Sequence, residues 1–556
     1  MRPYLMIFYF QRQSFLWYSD WNLKLLLITE VLIFVINNFS RMKHTPPIIS
    51  LLLILTFADN IYAGKAQPTE SDTIKLRTII IVFDGLRPDY ITPELMPNLY
   101  SFNKRSASGK DNHSVFPTVT RVNAASYATG SYPEHHGLMG NTIYLPGVNA
   151  QKSLSTGNAE NLRHIMEVTS GQLLTSPSLG EVLKSVGEKM MVYSSGTTGQ
   201  AFLQNHTVNG SIINPDLILP ESFKAELIAS IGLPPEDATP NAARHQWITD
   251  ALCKYTLSPG GPMVSAIWYS DPDGTAHKYG IGVPITMQAL KSVDKQFGRI
   301  LDSIKSKKLE STFNIIVTAD HGFVTHMGKE GVSDFLIQKK LKRGEDSDDI
   351  IVAGGALYAK DHNRTLIQQI VEALQGQEWV GAIFTKAAKP GSMQGSIKGT
   401  LSFESIHWNH TQRSADILVT ENWNHNKNGS GYAGTDFSSG VAGHGGSSPY
   451  ETHIPLIAYG PSFKASFESS LPTSNVDIVP TVLHIHDFPV PTQMQGRVMY
   501  ELLPAKNTLQ PVNPKKETIT TEVKYKWGKY KLILNRTVLG KYHYINYAEV
   551  IRTSRN

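Results

Sequence analysis

The sequence has one cysteine, Cys253, among 556 residues. That excludes an internal disulfide and any thiolate-held metal, so a metal here must be bound by histidine and carboxylate. A large charge of one sign is also missing: 52 Lys and Arg against 47 Asp and Glu leave a formal net charge of +5. No Lys/Arg block of the kind that tracks a phosphate backbone is present, so a nucleic-acid duplex is not the expected partner. Internal repeats and low-complexity tracts are absent, which removes solenoids and compositional linkers. After residue 63 no apolar run is long enough to cross a bilayer. What remains is ordinary for a folded protein: 41% hydrophobic and 18% charged residues, over a length that suggests about two to four domain-sized units.

The first 63 residues read as a leader. Met42-Lys43-His44 precedes the apolar run from Ile48 to Ala58, and a polar stretch then ends in Ile61-Tyr62-Ala63. That is the order of charged region, apolar core and small-residue cleavage site in a secretory signal. Residues 1–41 hold a second apolar stretch, Leu25 to Ile36, interrupted by Glu30. The expectation is a misplaced start over 1–41 and a signal peptide over 42–63. The mature chain is then secreted or periplasmic, with no stable membrane span once the leader is removed. If the leader is not cleaved the protein is membrane-anchored, a reading that Glu30 makes costly in lipid.

The body reads as α/β. Thr78–Phe83 is a continuous apolar, β-branched run, as expected of a strand buried on both faces. Similar runs are Met190–Tyr193, Met263–Tyr269, Phe313–Thr318 and Ile454–Tyr459. A helical face carries Leu290, Val293, Phe297, Ile300, Leu301 and Ile304. The alternation predicts a mostly parallel central sheet with helices on both faces. Residues 322–440 are richer in Gly, Asn and Lys and read as an irregular insertion or cap. From about Glu517 to Val550, Tyr, Lys, Val and Ile alternate between turn signals at Trp527-Gly528 and Leu539-Gly540, which predicts short antiparallel strands.

The chemistry-bearing residues lie at strand ends. The first strand runs into Asp84-Gly85, the third run into Asp271-Pro272-Asp273 and on to His277, and the fourth into Asp320-His321-Gly322. His444 lies in Gly443-His444-Gly445, ahead of the last strand. Ligands of open α/β sheets bind at the carboxyl ends of strands. Widely separated carboxylates and histidines can therefore meet at one edge. Such donors suit zinc or manganese. One such strand end alone is often only a turn; four in order are a pattern. A fifth segment supplies a hydroxyl. From Asn123 the chain reads as a short helix closed by Gly130, with Thr120 at its N-terminal end, where free N–H groups favour an anion. A threonine hydroxyl needs a base or a metal to become a nucleophile.

This set resembles the alkaline phosphatase superfamily, and within it the nucleotide pyrophosphatase/phosphodiesterase (type I phosphodiesterase) family. The resemblance rests on Val82-Phe83-Asp84-Gly85, Phe116-Pro117-Thr118-Val119-Thr120, Tyr132 through Asn141, Asp271 through Gly280, Thr318 through Gly322, and Gly443-His444-Gly445. It implies a two-zinc site, with manganese or another divalent metal as a substitute. Asp273, His277 and His444 would hold one ion, and Asp84, Asp320, His321 and the Thr120 oxygen the other. It implies that Thr120 is the nucleophile. Asn141 would bind a non-bridging phosphoryl oxygen together with a backbone amide, read as that of Arg121. The implied organisation is a leader over 1–63, an alkaline phosphatase-like catalytic domain over 64–510 with the insertion 322–440, and a C-terminal β extension over 511–556.

The sequence departs from that family directly after the nucleophile. Nucleotide-cleaving members carry an aromatic residue there; this chain has Arg121. Arg121 either binds a substrate carboxylate or second phosphate, or pairs with a nearby Asp or Glu. The leading expectation is cleavage of phosphodiester or pyrophosphate bonds in a small phosphate ester or nucleotide-like molecule, through a phosphothreonine intermediate. Phosphonoacetate-type C–P hydrolysis and phosphomonoester hydrolysis remain as alternatives on the same site. A non-catalytic metal-binding protein is disfavoured because the nucleophile and all ligands are present. His135 and His136 are expected to pack or hydrogen-bond near the site rather than ligate. Oligomeric state is not legible.

Overall fold

Six consecutive apolar or β-branched side chains at Thr78–Phe83 leave the first strand no polar face, so it must be covered on both sides. In the computed structural model, which describes residues 75–504 and 513–554, strand β1 (Arg77–Phe83) is buried along its whole length. Ile80 and Val82 join one hydrophobic cluster and Ile79, Ile81 and Phe83 join another, one on each face of the sheet. Each fully buried aliphatic side chain contributes roughly 1.5–3 kcal/mol of transfer free energy. The expected leader over 1–63 lies outside the described residues.

Eight further strands complete the sheet: β2 (Ala107–His113), β3 (Met190–Ser194), β4 (Gly210–Asn214), β5 (Leu217–Leu219), β6 (Val264–Tyr269), β7 (Phe313–Thr318), β8 (Leu456–Tyr459) and β9 (Phe467–Ser474). Their order is β9-β2-β8-β7-β1-β6-β3-β4-β5. Neighbours β7, β1, β6, β3 and β4 run parallel, while β8 is antiparallel to both β2 and β7, and β5 is antiparallel to β4. The sheet is thus mixed but mostly parallel. The reversal of β8 decides the site. Leu456, at its start, pairs with Thr318, at the end of β7. The segment entering β8 therefore meets the segments leaving β1, β6 and β7.

Helix α1 (Thr120–Thr129), α2 (Asp273–Tyr279) and α3 (Pro284–Ser306) flank this edge and the sheet. Leu290, Val293, Phe297, Ile300 and Ile304 of α3 are buried, and Phe297 meets Phe83 edge to face at 6.3 Å. No helix among the described residues is long and apolar enough to cross a membrane.

Residues 322–440 are more regular than their composition implies. They carry a five-stranded sheet (Ile350–Ala353, Ala356–Ala359, Val380–Thr385, Leu401–Ser402, Ile417–Glu421) and the helix Arg364–Gln375, over a hydrophobic cluster of their own. The C-terminal antiparallel sheet, β10 (Lys515–Lys524), β11 (Gly528–Leu539) and β12 (Tyr542–Ser554), has strands longer than the short ones read from the sequence. It braces two regions. The Tyr530 hydroxyl donates to Gly381 O at 3.0 Å, and the Tyr544 hydroxyl donates to Asp477 Oδ2 at 3.0 Å.

Candidate active site

Three strands of the parallel core, β1, β6 and β7, each lead into an acid at the same edge. Asp84 follows β1, and the turn is kept tight by Gly85, which has φ +71° and sits where a Cβ would come within 3.0 Å of the Phe323 ring. The Gly85 N–H donates to Asp320 Oδ1 at 3.0 Å, tying the end of β1 to the end of β7. The Trp268 indole N–H, from β6, donates to Asp84 Oδ2 at 2.9 Å. Asp271 and Asp273 part company. Both Asp271 oxygens are used inside the fold, one by Thr275 and one by the Asn241 N–H. Asp273 Oδ1, Asp84 Oδ1 and Asp320 Oδ2 are all buried without a hydrogen-bond partner.

Three imidazoles face those three oxygens. Each turns its Nδ1 to a backbone carbonyl: His277 to Ala442 O at 2.9 Å, His321 to Gly322 O at 3.0 Å and His444 to Thr118 O at 2.8 Å. A carbonyl can only accept, so Nδ1 carries a proton, and in the neutral ring Nε2 is left as a lone pair. His321 Nε2 lies 2.9 Å from Asp320 Oδ2, 3.5 Å from Asp84 Oδ1 and 3.2 Å from Thr120 Oγ1. His277 Nε2 and His444 Nε2 lie 3.3 and 3.4 Å from Asp273 Oδ1. Lone pairs converging on bare carboxylate oxygens repel unless a cation or proton lies between them. The donor set of oxygens and imidazoles fits a divalent metal such as zinc or manganese.

The grouping differs in one respect from the ligand sets that the family resemblance implies. Asp84, Asp320 and His321 come together, each offering an atom within 4.8 Å of the others, and so do Asp273, His321 and His444. His321 is therefore within reach of both groups, and its ring stacks on His444 at 3.4 Å between centroids. His277 approaches the second group through Asp273.

The electrostatics carry the same mark of an incomplete cluster. Burial, then the charges of Asp320 and Asp273, raises the Asp84 carboxyl well above the usual range. Burial pushes the Asp273 carboxyl the same way, but His277, His444 and His321 together outweigh it and hold it low. Burial favours neutral His321, yet adjacent Asp320 raises its pKa. Burial and then His321 push the pKa of His444 well below its ordinary value.

Thr120 is the first residue of α1, and Gly130 closes the helix in the left-handed region. Thr118 couples the loop before Thr120 to the His444 loop: its hydroxyl donates to Gly446 O at 2.8 Å and accepts from the Gly445 N–H at 3.1 Å. Glu451 pins the same loop from the other side, accepting from the Gly446 N–H at 2.7 Å. Asn141 lies at the start of α1, where its Oδ1 accepts from the Arg121 N–H at 3.0 Å. The Arg121 amide, expected to share a phosphoryl oxygen with Asn141, here donates to Asn141 itself and orients it so that the side-chain NH₂ is the group left to donate. The Arg121 guanidinium makes no ion pair or hydrogen bond among the described residues, so the expected pairing with a nearby acid is not present there. His136 is a core residue, with Nε2 2.9 Å from Ser126 Oγ and Nδ1 accepting from the Leu138 N–H.

Sequence reasoning missed Trp268 and the three carbonyls that orient the histidines. Trp268 had a signal: an indole N–H on a strand buried on both faces needs an acceptor. The carbonyls had none, since any residue supplies one.

Known proteins resemble this chain in sequence and fold. A sequence profile of the family described as Type I phosphodiesterase / nucleotide pyrophosphatase matches residues 78–430. Bis(5'-adenosyl)-triphosphatase enpp4 of Xenopus laevis is 27% identical over 419 residues, covering 74% of this chain and 78% of that protein. Venom phosphodiesterase 2 of Crotalus adamanteus is 28% identical over 251 residues, 44% of this chain and only 26% of that protein. A solved structure of murine ectonucleotide pyrophosphatase / phosphodiesterase 5, an inactive variant in complex with AMP, superposes with a TM-score of 0.54 at 18% identity, covering 77% of this chain and 100% of that one.

Proposed function

The chain belongs to the type I phosphodiesterase / nucleotide pyrophosphatase family of hydrolases, and we propose that it cleaves phosphodiester or pyrophosphate bonds of small phosphate esters through a phosphothreonine at Thr120. The observation that carries this reading is the position of the Thr120 hydroxyl. It lies at the N-terminus of α1, 3.2 Å from His321 Nε2 and beside buried carboxylate oxygens that have no partner. AMP in the murine relative supports a substrate of nucleotide-like size. The reading includes export, supported by the signal pattern over 42–63, and the domain division 64–510 and 511–556.

Asp84, Asp320, His321 and Thr120 would hold one divalent cation, and Asp273, His277 and His444 a second. Zinc is favoured by the mixed imidazole and carboxylate set. When bound, such ions supply positive charge that lowers the threonine pKa and offsets charge on the transferring group. The residues do the rest. The Thr120 oxygen forms a bond to phosphorus as the bond to the leaving oxygen breaks on the opposite side. The Asn141 side-chain amide donates to a non-bridging oxygen whose charge grows in the transition state. Water then cleaves the phosphothreonine and restores the hydroxyl. The carbonyls of Thr118, Gly322 and Ala442 keep the three imidazoles in the ligating tautomer throughout.

The test is hydrolysis of bis-p-nitrophenyl phosphate by the purified full chain. The expected result is turnover that a chelator abolishes, zinc or manganese restores, and Thr120→Ala removes while the fold is kept. Full turnover by the Thr120→Ala protein would sink the assignment.

A further inference from the structure

Beside Thr120 the structure holds a pocket of about 380 Å³, walled by α1, by the loop after β3 and by the start of α2. No aromatic side chain lines it, so it offers no ring on which a nucleobase can stack. Its unsatisfied groups are polar instead. Arg121 Nε is buried with no partner, and so is Gln200 Nε2. The Gln200 orientation is fixed, because the Ser194 hydroxyl donates to its Oε1 while accepting from the Gly196 N–H. Across the pocket Arg244 is already committed, holding Asp216 through both of its terminal nitrogens at 2.7 and 3.0 Å. Arg121 is therefore the cation of the pocket with no direct ion pair among the described residues; Asp84, Asp273 and Asp320 act on it only through space. Gly157 makes room for it: a Cβ at that position would lie 2.5 Å from Arg121 Nη2.

A largely desolvated guanidinium with no direct partner has donors to spare, and its fork of N–H groups matches a carboxylate or phosphoryl group. Displacement in line puts the leaving group opposite the Thr120 oxygen. Arg121 follows Thr120 on the nucleophile's side, so it faces the substituent that stays on phosphorus. We propose that the pocket selects esters whose retained substituent carries a second anion, a phosphoryl or carboxylate group, and that Arg121 reads it. Gln200 adds a neutral donor, and the Asp216–Arg244 pair on the far wall is closed on itself and leaves Arg121 as the group free to take an anion. This rests on the hydrolase reading above and narrows its substrate class.

Three esters with one leaving group separate the possibilities: p-nitrophenyl methylphosphonate, p-nitrophenyl carboxymethylphosphonate and p-nitrophenyl phosphonomethylphosphonate. The wild-type full chain is expected to favour one or both charged esters over the methyl ester by roughly 10- to 100-fold in kcat/KM, the size of a charge-assisted hydrogen bond. Which of the two leads identifies carboxylate or phosphoryl as the anion. In Arg121→Met that ratio should collapse toward one, and Arg121→Lys should restore part of it. Arg121→Gln, checked by thermal unfolding, serves if the Met variant does not fold. A binding readout needs no turnover. Calorimetry on the Thr120→Ala protein should show methylenebisphosphonate held at least about 10-fold tighter than methylphosphonate, with the difference lost when Arg121→Met is added. A wild-type ratio near one, a ratio unchanged in Arg121→Met, or preference for thymidine 5'-p-nitrophenyl phosphate over both charged esters overturns the inference and leaves the hydrolase standing. A wild-type chain that cleaves none of these esters, or a Thr120→Ala chain that cleaves them equally well, overturns both.

Discussion

Two buried clusters of charge in this protein are built on opposite plans. Around Asp477 the charged groups are matched. Its carboxylate accepts from the Arg497 N–H at 2.7 Å, from the Ser474 N–H at 3.0 Å and from the Tyr544 hydroxyl at 3.0 Å. The Arg497 guanidinium in turn reaches Glu501, Pro472 O and the Tyr544 oxygen. At the sheet edge, by contrast, Asp84, Asp273 and Asp320 each keep a buried oxygen with no partner. The first cluster is complete in the protein alone and ties β12 to the core. The second is completed only by something from outside. The difference teaches that burial and charge do not mark function by themselves; several unpartnered carboxylate oxygens converging on the same imidazoles do.

The contrast can be broken from either side. Thr120→Ala should have the largest effect, lowering kcat by on the order of 10³-fold or more with unchanged circular dichroism; wild-type turnover in that variant would remove the site from catalysis. Arg497→Met leaves Asp477 and Glu501 buried without their cation and should cost about 3–5 kcal/mol in denaturant unfolding, with little effect on kcat of the protein that remains folded. Stripping divalent metal with a chelator should lower stability by about 2–4 kcal/mol, reversed by zinc or manganese, as expected for loss of a ligand present well above its Kd; an unchanged melting temperature would mean that the edge needs no cation. In the chelated protein Asp84→Asn should then stabilise by about 1 kcal/mol, because it removes one buried acid from a like-charged pair, whereas the same variant in metal should lose activity. An opposite sign in chelator would place a proton, not a metal, between these groups.

The smallest effect sharpens the matched side. Burial pushes the Asp477 carboxyl from its usual 3.8 up to about 6, against the pull of Arg497 and its hydrogen bonds. The folded state therefore binds this proton more tightly than the unfolded chain. The stability from this group is fullest below about pH 4 and declines as pH rises toward 6. Tyr544→Phe removes one donor to the carboxylate, should cost about 1 kcal/mol, and should steepen that decline. Unfolding free energies from pH 4 to 7 in both proteins read it directly, and parallel curves would assign the titration elsewhere.

The central strands and the ligand candidates were legible because β-branched runs declare doubly buried strands, and such strands hand their functional groups to one edge. The strand Ala107–His113 was not legible, since its sequence, Ala-Ser-Gly-Lys-Asp-Asn-His, has no apolar run. It is strand only because β8 and β9 pair with it on either side. The inserted sheet had a signal that went unread: Ile417–Glu421 and Val380–Thr385 are apolar runs set in a Gly- and Asn-rich background. His444 was found by its spacing ahead of a strand, but only the reversed direction of β8 brings that end of the strand to the metal edge.

By itself, then, the sequence determined which donors exist and on which strands they ride: three acids, three imidazoles and a threonine, with no thiol among them. Both facts follow from local composition and from the period of the backbone. The tertiary structure alone decided which carboxylate oxygens are left bare, which imidazole nitrogen carries the proton, that the Arg121 amide is already used and that its guanidinium is not. Those are matters of contact between residues as far apart as Thr120 and His321, or Thr118 and His444. A hydrogen bond is spent or unspent only once the chain has closed around it.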